Sequence, residues 1–246
     1  MSLDPTRLYR LLHVGNPGDV DFYLRVCEGA GDVLEIGAGW GRVSGALARA
    51  GHRVWALELD DAMRAAAAQQ LAEEGLSEQV TLVAGDMRGF TLGRSFERIL
   101  VPYCGLFCLA DDAEVVQALT AMAAHLAPDG LLALDGYQIV DPDDLEGGDD
   151  FEWLCEIHDG DRAIQVHELD VHAPEDRCWK VHYRFEAPGE APHEQVLHHH
   201  YLLRSQLGEL LSQAGLTLLG LWGDFEGGPA DDEAPHLVVV AGHAEA

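Results

Sequence analysis

From Asp4 to about Gly136, apolar residues recur first at helical spacing and then in short strand-like runs, and the alternation predicts a parallel α/β sheet. Asp4-Pro5 supplies a cap and first-turn pair for a helix with Leu8, Leu11 and Leu12 on one face, and a second helix runs from about Pro17 to Glu28, so an N-terminal helical segment covers about 4–29. Val33 to Ile36 reads as the first strand, followed by a helix through Val43, Leu47 and Ala48 that stops at Gly51. Arg53 to Leu57 is the second strand, and Asp60 caps a helix from Ala62 to Glu74 closed by Gly75. Val80 to Ala84 and Ile99 to Val101 are strands three and four, Asp111 to Ala127 the next helix, and Leu131 to Leu134 strand five.

Beyond Phe151 the period changes. Ala163 to His172, Trp179 to Glu186 and Val196 to Leu203 alternate with period two between Asp-Gly and Pro-Gly turn signals, which predicts an antiparallel β insertion over about 151–204. A helix from Ser205 to Gln213 and strands Leu216 to Trp222 and Leu237 to Ala241 then close the sheet, and 1–246 is expected to form a single domain.

Charge narrows the partners. Acidic residues number 43 against 15 basic ones, and at a net charge of −28 a nucleic acid is a poor partner. No run approaches the roughly 20 consecutive apolar residues of a membrane-spanning helix, and Met1 to Gly15 lacks a signal-peptide apolar core, so membrane association is not expected and the cytoplasm is the expected compartment. The five cysteines include no CxxC pair and read as reduced structural residues.

The densest chemistry lies in Val33-Leu34-Glu35-Ile36-Gly37-Ala38-Gly39-Trp40-Gly41-Arg42, where three alternate glycines mark the passage from strand to helix and let backbone approach a ligand closely. A dinucleotide fingerprint places its third glycine where this chain has Arg42, which disfavours a nicotinamide cofactor. Glu35, two positions before the first glycine, instead suits a ligand with a cationic amino group. Strand two ends in Leu57-Glu58-Leu59-Asp60, and a carboxylate there, about 20 residues beyond the glycines, can accept both hydroxyls of a ribose; Glu58 takes that role and Asp60 the helix cap. Strand three runs into Gly85-Asp86-Met87, where a carboxylate and a backbone amide can take an adenine edge. Any one of these acids reads more simply as a solvated loop residue, but three at successive carboxyl ends of neighbouring parallel strands coincide with the place where open α/β sheets bind ligands.

These segments, with Leu126-Ala-Pro128-Asp-Gly130 before strand five, resemble the class I S-adenosylmethionine-dependent methyltransferases, in particular small bacterial members acting on small molecules. The resemblance covers most of the chain. It implies a Rossmann-like seven-stranded sheet of order 3-2-1-4-5-7-6 with strand seven antiparallel, S-adenosylmethionine as cofactor and S-adenosylhomocysteine as product. It implies methionine-moiety contacts at Gly37 and Gly39, ribose contact at Glu58 and adenine contact at Asp86 and Met87; Tyr23, Ala38, Arg42, Leu59 and Pro102 complete the expected cofactor-binding set. Trp40 replaces the family's common threonine, and Val101-Pro102-Tyr103-Cys104 lacks the base-methylating Asn/Asp-Pro-Pro-Tyr signature.

The expected activity is methyl transfer to an N, O or C atom of a small molecule by in-line displacement; a protein side chain as acceptor, or cofactor binding without catalysis, are the alternatives. Tyr9, His13, Tyr23, Tyr103, Phe107, Tyr137 and the insertion are candidate acceptor contacts, with His200, Tyr201 and Tyr103 as candidate catalytic groups. An inserted sheet beyond strand five can cover the carboxyl ends of the parallel strands. Its histidines, His158, His167, His172, His182, His193 and His198 to His200, read foremost as residues of a half-exposed strand face, with acceptor contact and metal binding as alternatives; no metal is expected. The acceptor, the oligomeric state and the need for a general base stay open.

Overall fold

The computed structural model describes residues 3–142, 145 and 147–244, and the chain divides into two compact units. One unit comprises Asn16–Val140 with the chain from Leu202 onward; the other comprises the chain up to Gly15 with Asp141–Tyr201. The N-terminal helical segment is thus shared between them: helix α1 (Pro5–Leu12) belongs to the second unit and α2 (Asp19–Val26) to the first.

The larger unit is a seven-stranded sheet. Strands β1 (Asp32–Ile36), β2 (Arg53–Glu58), β3 (Val80–Ala84), β4 (Phe96–Val101) and β5 (Leu126–Tyr137) run parallel, and their helical connections are α3 (Arg42–Arg49), α4 (Asp61–Glu73) and α5 (Asp112–Ala123). After the insertion, whose four strands β6 (Glu152–Asp159), β7 (Arg162–Ala173), β8 (Cys178–Glu186) and β9 (His193–His200) form a separate sheet, α6 (Leu207–Gln213), β10 (Leu216–Trp222) and β11 (His236–His243) complete an order of β3-β2-β1-β4-β5-β11-β10, with β11 antiparallel to both neighbours. This is the expected 3-2-1-4-5-7-6 arrangement. Strands in such a sheet are buried on both faces, which is why Val33 to Ile36 read as an unbroken apolar run except for Glu35. One face packs Val33, Val54, Ala56, Leu100 and Val238 against Phe22 and Tyr23 of α2, Val43 and Leu47 of α3 and Leu71 of α4. Asp60 caps α4 as expected, accepting from the Met63 amide at 2.8 Å.

In this unit β5 and α5 have bounds that differ from the sequence reading for one shared reason. Strand β5 begins at Leu126 rather than Leu131: Leu126 pairs with Phe96, and the next paired residues are Leu131 and Arg98, so Ala127 to Gly130 bulge out of a strand already begun instead of forming a turn ahead of it. Helix α5 accordingly ends at Ala123, four residues earlier than the pattern suggested. The alanine-rich stretch up to Ala127 has helical propensity, but pairing with β4 claims its last residues.

The smaller unit is an antiparallel four-stranded sheet of order β6 (Glu152–Asp159), β7 (Arg162–Ala173), β8 (Cys178–Glu186) and β9 (His193–His200). Strand β6 was not among the predicted segments, because its pattern of Trp153, Leu154, Cys155 and Ile157 is not a strict alternation; a register shift between Trp153 and Cys155 breaks the period. Leu8 of α1 packs with Ile157, Ile164, Val166, Val181, Tyr183 and Phe185, and Leu11 and Leu12 flank that cluster. Asp4 caps α1 as predicted, with the Arg7 amide at 2.8 Å. No helix among the described residues is long and apolar enough to cross a membrane.

Candidate active site

The glycine turn sits at the carboxyl end of β1. Gly37, Gly39 and Gly41 all have left-handed backbone, with φ of 66, 55 and 83°, a conformation that only glycine adopts without steric cost. The turn is tied to β2: the Ala38 amide donates to the Leu57 carbonyl at 3.0 Å, and the Gly39 amide donates to Glu58 Oε2 at 2.7 Å. Glu58 Oε1 accepts from the Asp60 amide at 2.8 Å, so each carboxylate oxygen spends one lone pair on backbone and keeps another. Arg64 fixes the same strand end by donating to the Glu58 and Leu59 carbonyls, both at 2.8 Å, and Leu59 beside them is 63% exposed.

Strand β3 delivers Gly85, whose amide meets the Glu58 carbonyl, and then Asp86 and Met87. The Met87 methyl lies 3.6 Å from where a Cβ on Gly37 would be, which brings these two expected cofactor residues together. Asp86 is held by Arg88, which reaches Oδ1 through its amide and both oxygens through its guanidinium and continues to Glu114 on α5; hydrogen bonding to Arg88 lowers the Asp86 pKa. An adenine amino group at this point would therefore share Asp86 with an existing cation.

Beneath the turn, Glu35 is buried and accepts from Ser44 Oγ of α3; burial pushes its carboxyl up to about 7, against the pull of Ser44 and Arg42. Arg42 makes a two-pronged pair with Asp19 of α2, at 2.9 and 2.7 Å, and its guanidinium lies 5.8 Å above the Tyr103 ring. Asp19, which nothing in the pattern singled out, also accepts from the Asn16 amide.

At the carboxyl ends of β4 and β5 the chain passes from buried Pro102 into Tyr103 and Cys104, both with left-handed backbone at φ of 55 and 57°. Consecutive residues other than glycine in that region are uncommon and strained. The Tyr103 amide donates to Asp135 Oδ1 at 2.8 Å, and Tyr23, wholly buried, donates its hydroxyl to the same oxygen. Asp135 was missed in the sequence, although an acid in the otherwise apolar run Leu131 to Tyr137 of a central strand was the available signal. Tyr137 shares a side-chain hydrogen bond with Tyr103.

Tyr23, Glu35, Gly37, Ala38, Gly39, Arg42, Glu58, Leu59, Asp86, Met87, Pro102 and Tyr103 thus all belong to the seven-stranded unit, whereas His200 and Tyr201 belong to the four-stranded one, where both are buried. Also in that unit, burial lowers His13 and His199 to about 4, and Trp179 stacks near His172 and His199. No cluster among the described residues is placed to hold a metal ion.

The residues present fit S-adenosylmethionine: a left-handed glycine turn for close backbone approach, a half-buried strand-end carboxylate with lone pairs remaining, apolar Met87 beside Gly37 and an exposed Leu59 next in sequence to Glu58. Strand order and turn together define a class I methyltransferase architecture, and residues 33–130 match the family described as a methyltransferase domain. The chain is an S-adenosylmethionine-dependent methyltransferase. It is 27% identical over 209 residues to a cypemycin N-terminal methyltransferase of Streptomyces sp, covering 85% of this chain and 81% of that one. It is 31% identical over 136 residues to the dTDP-3-amino-3,6-dideoxy-alpha-D-glucopyranose N,N-dimethyltransferase of Streptomyces fradiae, covering 52% and 51%. The solved CcbJ methyltransferase of Streptomyces caelestis superposes with a TM-score of 0.81 at 23% identity over 94% of this chain and 98% of the other.

Proposed function

We propose that the chain methylates an amino nitrogen of a small-molecule acceptor. The observation that carries this is the agreement of two relatives: one is named for an N-terminal and the other for an N,N-dimethyl transfer, and the first aligns over most of the chain. Bound S-adenosylmethionine supplies an activated sulfonium methyl, so the protein's work is to align the nucleophile and exclude water, and alignment alone can contribute about 7 to 11 kcal/mol. Gly37 and Gly39 receive the methionine moiety, Glu58 the ribose hydroxyls, and Asp86, Met87 and Leu59 the adenine. His200, Tyr201 and Tyr103 are the candidate catalytic groups. Five unpaired cysteines accord with a reducing compartment, the cytoplasm, and the charge of −28 with an acceptor other than nucleic acid.

The test is a panel of matched acceptors, amino-sugar nucleotides and short peptides with free N-termini against their hydroxyl analogues, followed by mass spectrometry of the product. Methylated amines are expected; turnover of hydroxyl or carbon acceptors alone would overturn the reading. On the same panel, His200→Ala is expected to slow transfer and leave S-adenosylhomocysteine affinity within about twofold, and wild-type turnover would remove His200 from the acceptor's contacts.

A further inference from the structure

Asp135 is the buried acid that the cofactor contacts leave unused. It is 2% exposed, on β5 at the register where β11 offers only Val238, and its two oxygens have unequal surroundings. Oδ1 accepts from the Tyr23 hydroxyl and the Tyr103 amide, and the Cys104 amide also faces the carboxyl, but among the described residues no donor lies within hydrogen-bond geometry of Oδ2. A buried carboxylate oxygen without a donor carries a desolvation penalty, and such groups are rare enough in native proteins that each calls for a reason. The second anomaly is adjacent: the strained pair Tyr103–Cys104 is held in left-handed geometry with its first amide on this same carboxylate. Strain and an unsatisfied acceptor at one strand end, beside the cofactor turn, mark a place kept for a ligand's donor.

We propose that Asp135 Oδ2 receives the N–H of the acceptor's amine and stabilises the charge that nitrogen acquires during transfer. The inference rests on the amine reading above. As the nitrogen lone pair forms the new N–CH3 bond, the S–CH3 bond breaks and its electron pair stays on sulfur, so positive charge passes from sulfur to nitrogen. A carboxylate fixed in place before the reaction favours that displacement without reorganising. Tyr23 and the Tyr103 amide hold Oδ1 and thereby aim the group. The other ionisable neighbours are Asp19 on α2, Arg42 on α3, Cys104 after β4 and Tyr137 on β5; burial keeps Cys104 and Tyr137 uncharged at pH 7, and Arg42, the cation within electrostatic reach, has its hydrogen bonds committed to Asp19, so no cation pairs directly with Asp135 among the described residues. Burial, chiefly, lifts the Asp135 carboxyl to about 6, so it is ionised at neutral pH and loses its charge in mild acid.

The decisive variant is Asp135→Asn, which keeps an acceptor oxygen for Tyr23 and Tyr103 and removes the charge. With an amine that the wild type methylates, D135N is expected to lower kcat at least tenfold, to lose the acid limb near pH 6, and to bind the amine more weakly when loaded with S-adenosylhomocysteine. Its thermal midpoint and its S-adenosylhomocysteine affinity should stay close to wild type. Wild-type kcat in D135N at every pH would overturn the inference while leaving amine methylation standing; a wild type that methylates no amine would overturn both. Loss of S-adenosylhomocysteine affinity in D135N, with the amine's affinity intact, would assign Asp135 to the cofactor's ammonium and overturn the acceptor role. Should D135N not fold, carbon-13 carboxyl labelling of the unaltered protein answers the question: the Asp135 resonance must move when the amine joins, and an unmoved resonance overturns the inference.

Discussion

Burial shifts groups of opposite kind in the two units. In the seven-stranded unit it raises two carboxyls, Glu35 and Asp135, to about 7 and about 6; in the four-stranded unit it lowers two imidazoles, His13 and His199, to about 4. Burial disfavours the charged form in every case, so one physical cause moves acids up and bases down. Architecture accounts for the choice of residue. A parallel sheet buried on both faces has its ligand site at the strand ends, where carboxylates can meet a ligand's donors and cations. An antiparallel sheet with alternating burial, as in β9, places its long polar side chains along one face beside the apolar cluster around Leu8 and Phe185.

The largest expected effect tests the core of the smaller unit. Phe185→Ala deletes a wholly buried ring from the cluster under α1 and is expected to destabilise that unit by about 3 to 5 kcal/mol. Hydrogen exchange at β7 and β8 amides reads it directly, and wild-type protection there would mean that the cluster is not what holds the sheet. Next comes the glycine turn of the larger unit and the ribose contact proposed for Glu58 beside it. Glu58→Ala removes a charged acceptor, each of whose hydrogen bonds to a ribose hydroxyl is worth about 1.5 to 3 kcal/mol, so affinity for S-adenosylhomocysteine should fall at least tenfold by calorimetry. Unchanged affinity would reject Glu58 as the ribose contact.

The smallest effect sharpens the contrast itself, because the two sets of groups respond to acid with opposite sign. His13 and His199 titrate at about 4 when folded against 6.5 otherwise; their contribution is fully present above pH 6.5 and is lost as the pH falls toward 4. Glu35, at about 7 folded against 4.5, contributes stability that is complete below pH 4.5 and is lost as the pH rises through 7. Between pH 7 and 5, exchange protection of β7 to β9 should therefore decline in a His13-dependent manner, and that of β1 and α3 should gain in a Glu35-dependent one. A His13→Phe variant with wild-type pH dependence in the small sheet would remove the imidazole from this account, and Glu35→Gln tests the other arm in the same way.

The geometry of the glycine turn and its neighbouring strand ends was legible because it is local. Glycine alternation, the acid at the end of strand two and Gly85-Asp86-Met87 each declare themselves within a few residues, and strand order follows from parallel crossovers that permit few alternatives. What escaped was non-local. Asp19 looks like an ordinary first-turn acid of α2 until Arg42, 23 positions on, is seen to clamp it. Asp135 looks like an interruption of an apolar strand until Tyr23, 112 positions away, is found donating to it. Asp86 was read as a free acceptor because Arg88, two residues later, gives no sign in the sequence of turning back upon it. The boundaries of β5 and α5 were misplaced for a related reason: sheet pairing with Phe96 overrode the local helical preference.

The Asp19–Arg42 pair also bears on the spacing of the glycine turn. Glycine at position 42 would complete the dinucleotide spacing that this turn almost has, and a single substitution is a short mutational step. Yet Asp19 is 2% exposed and has Arg42 as its cation, and leaving a buried charge without its partner costs about 3 to 5 kcal/mol, comparable to the whole stability margin of many domains. Arg42→Gly alone would therefore leave Asp19 as a buried charge without its partner, so moving this turn to the dinucleotide spacing costs stability unless Asp19, on a different helix, is replaced as well.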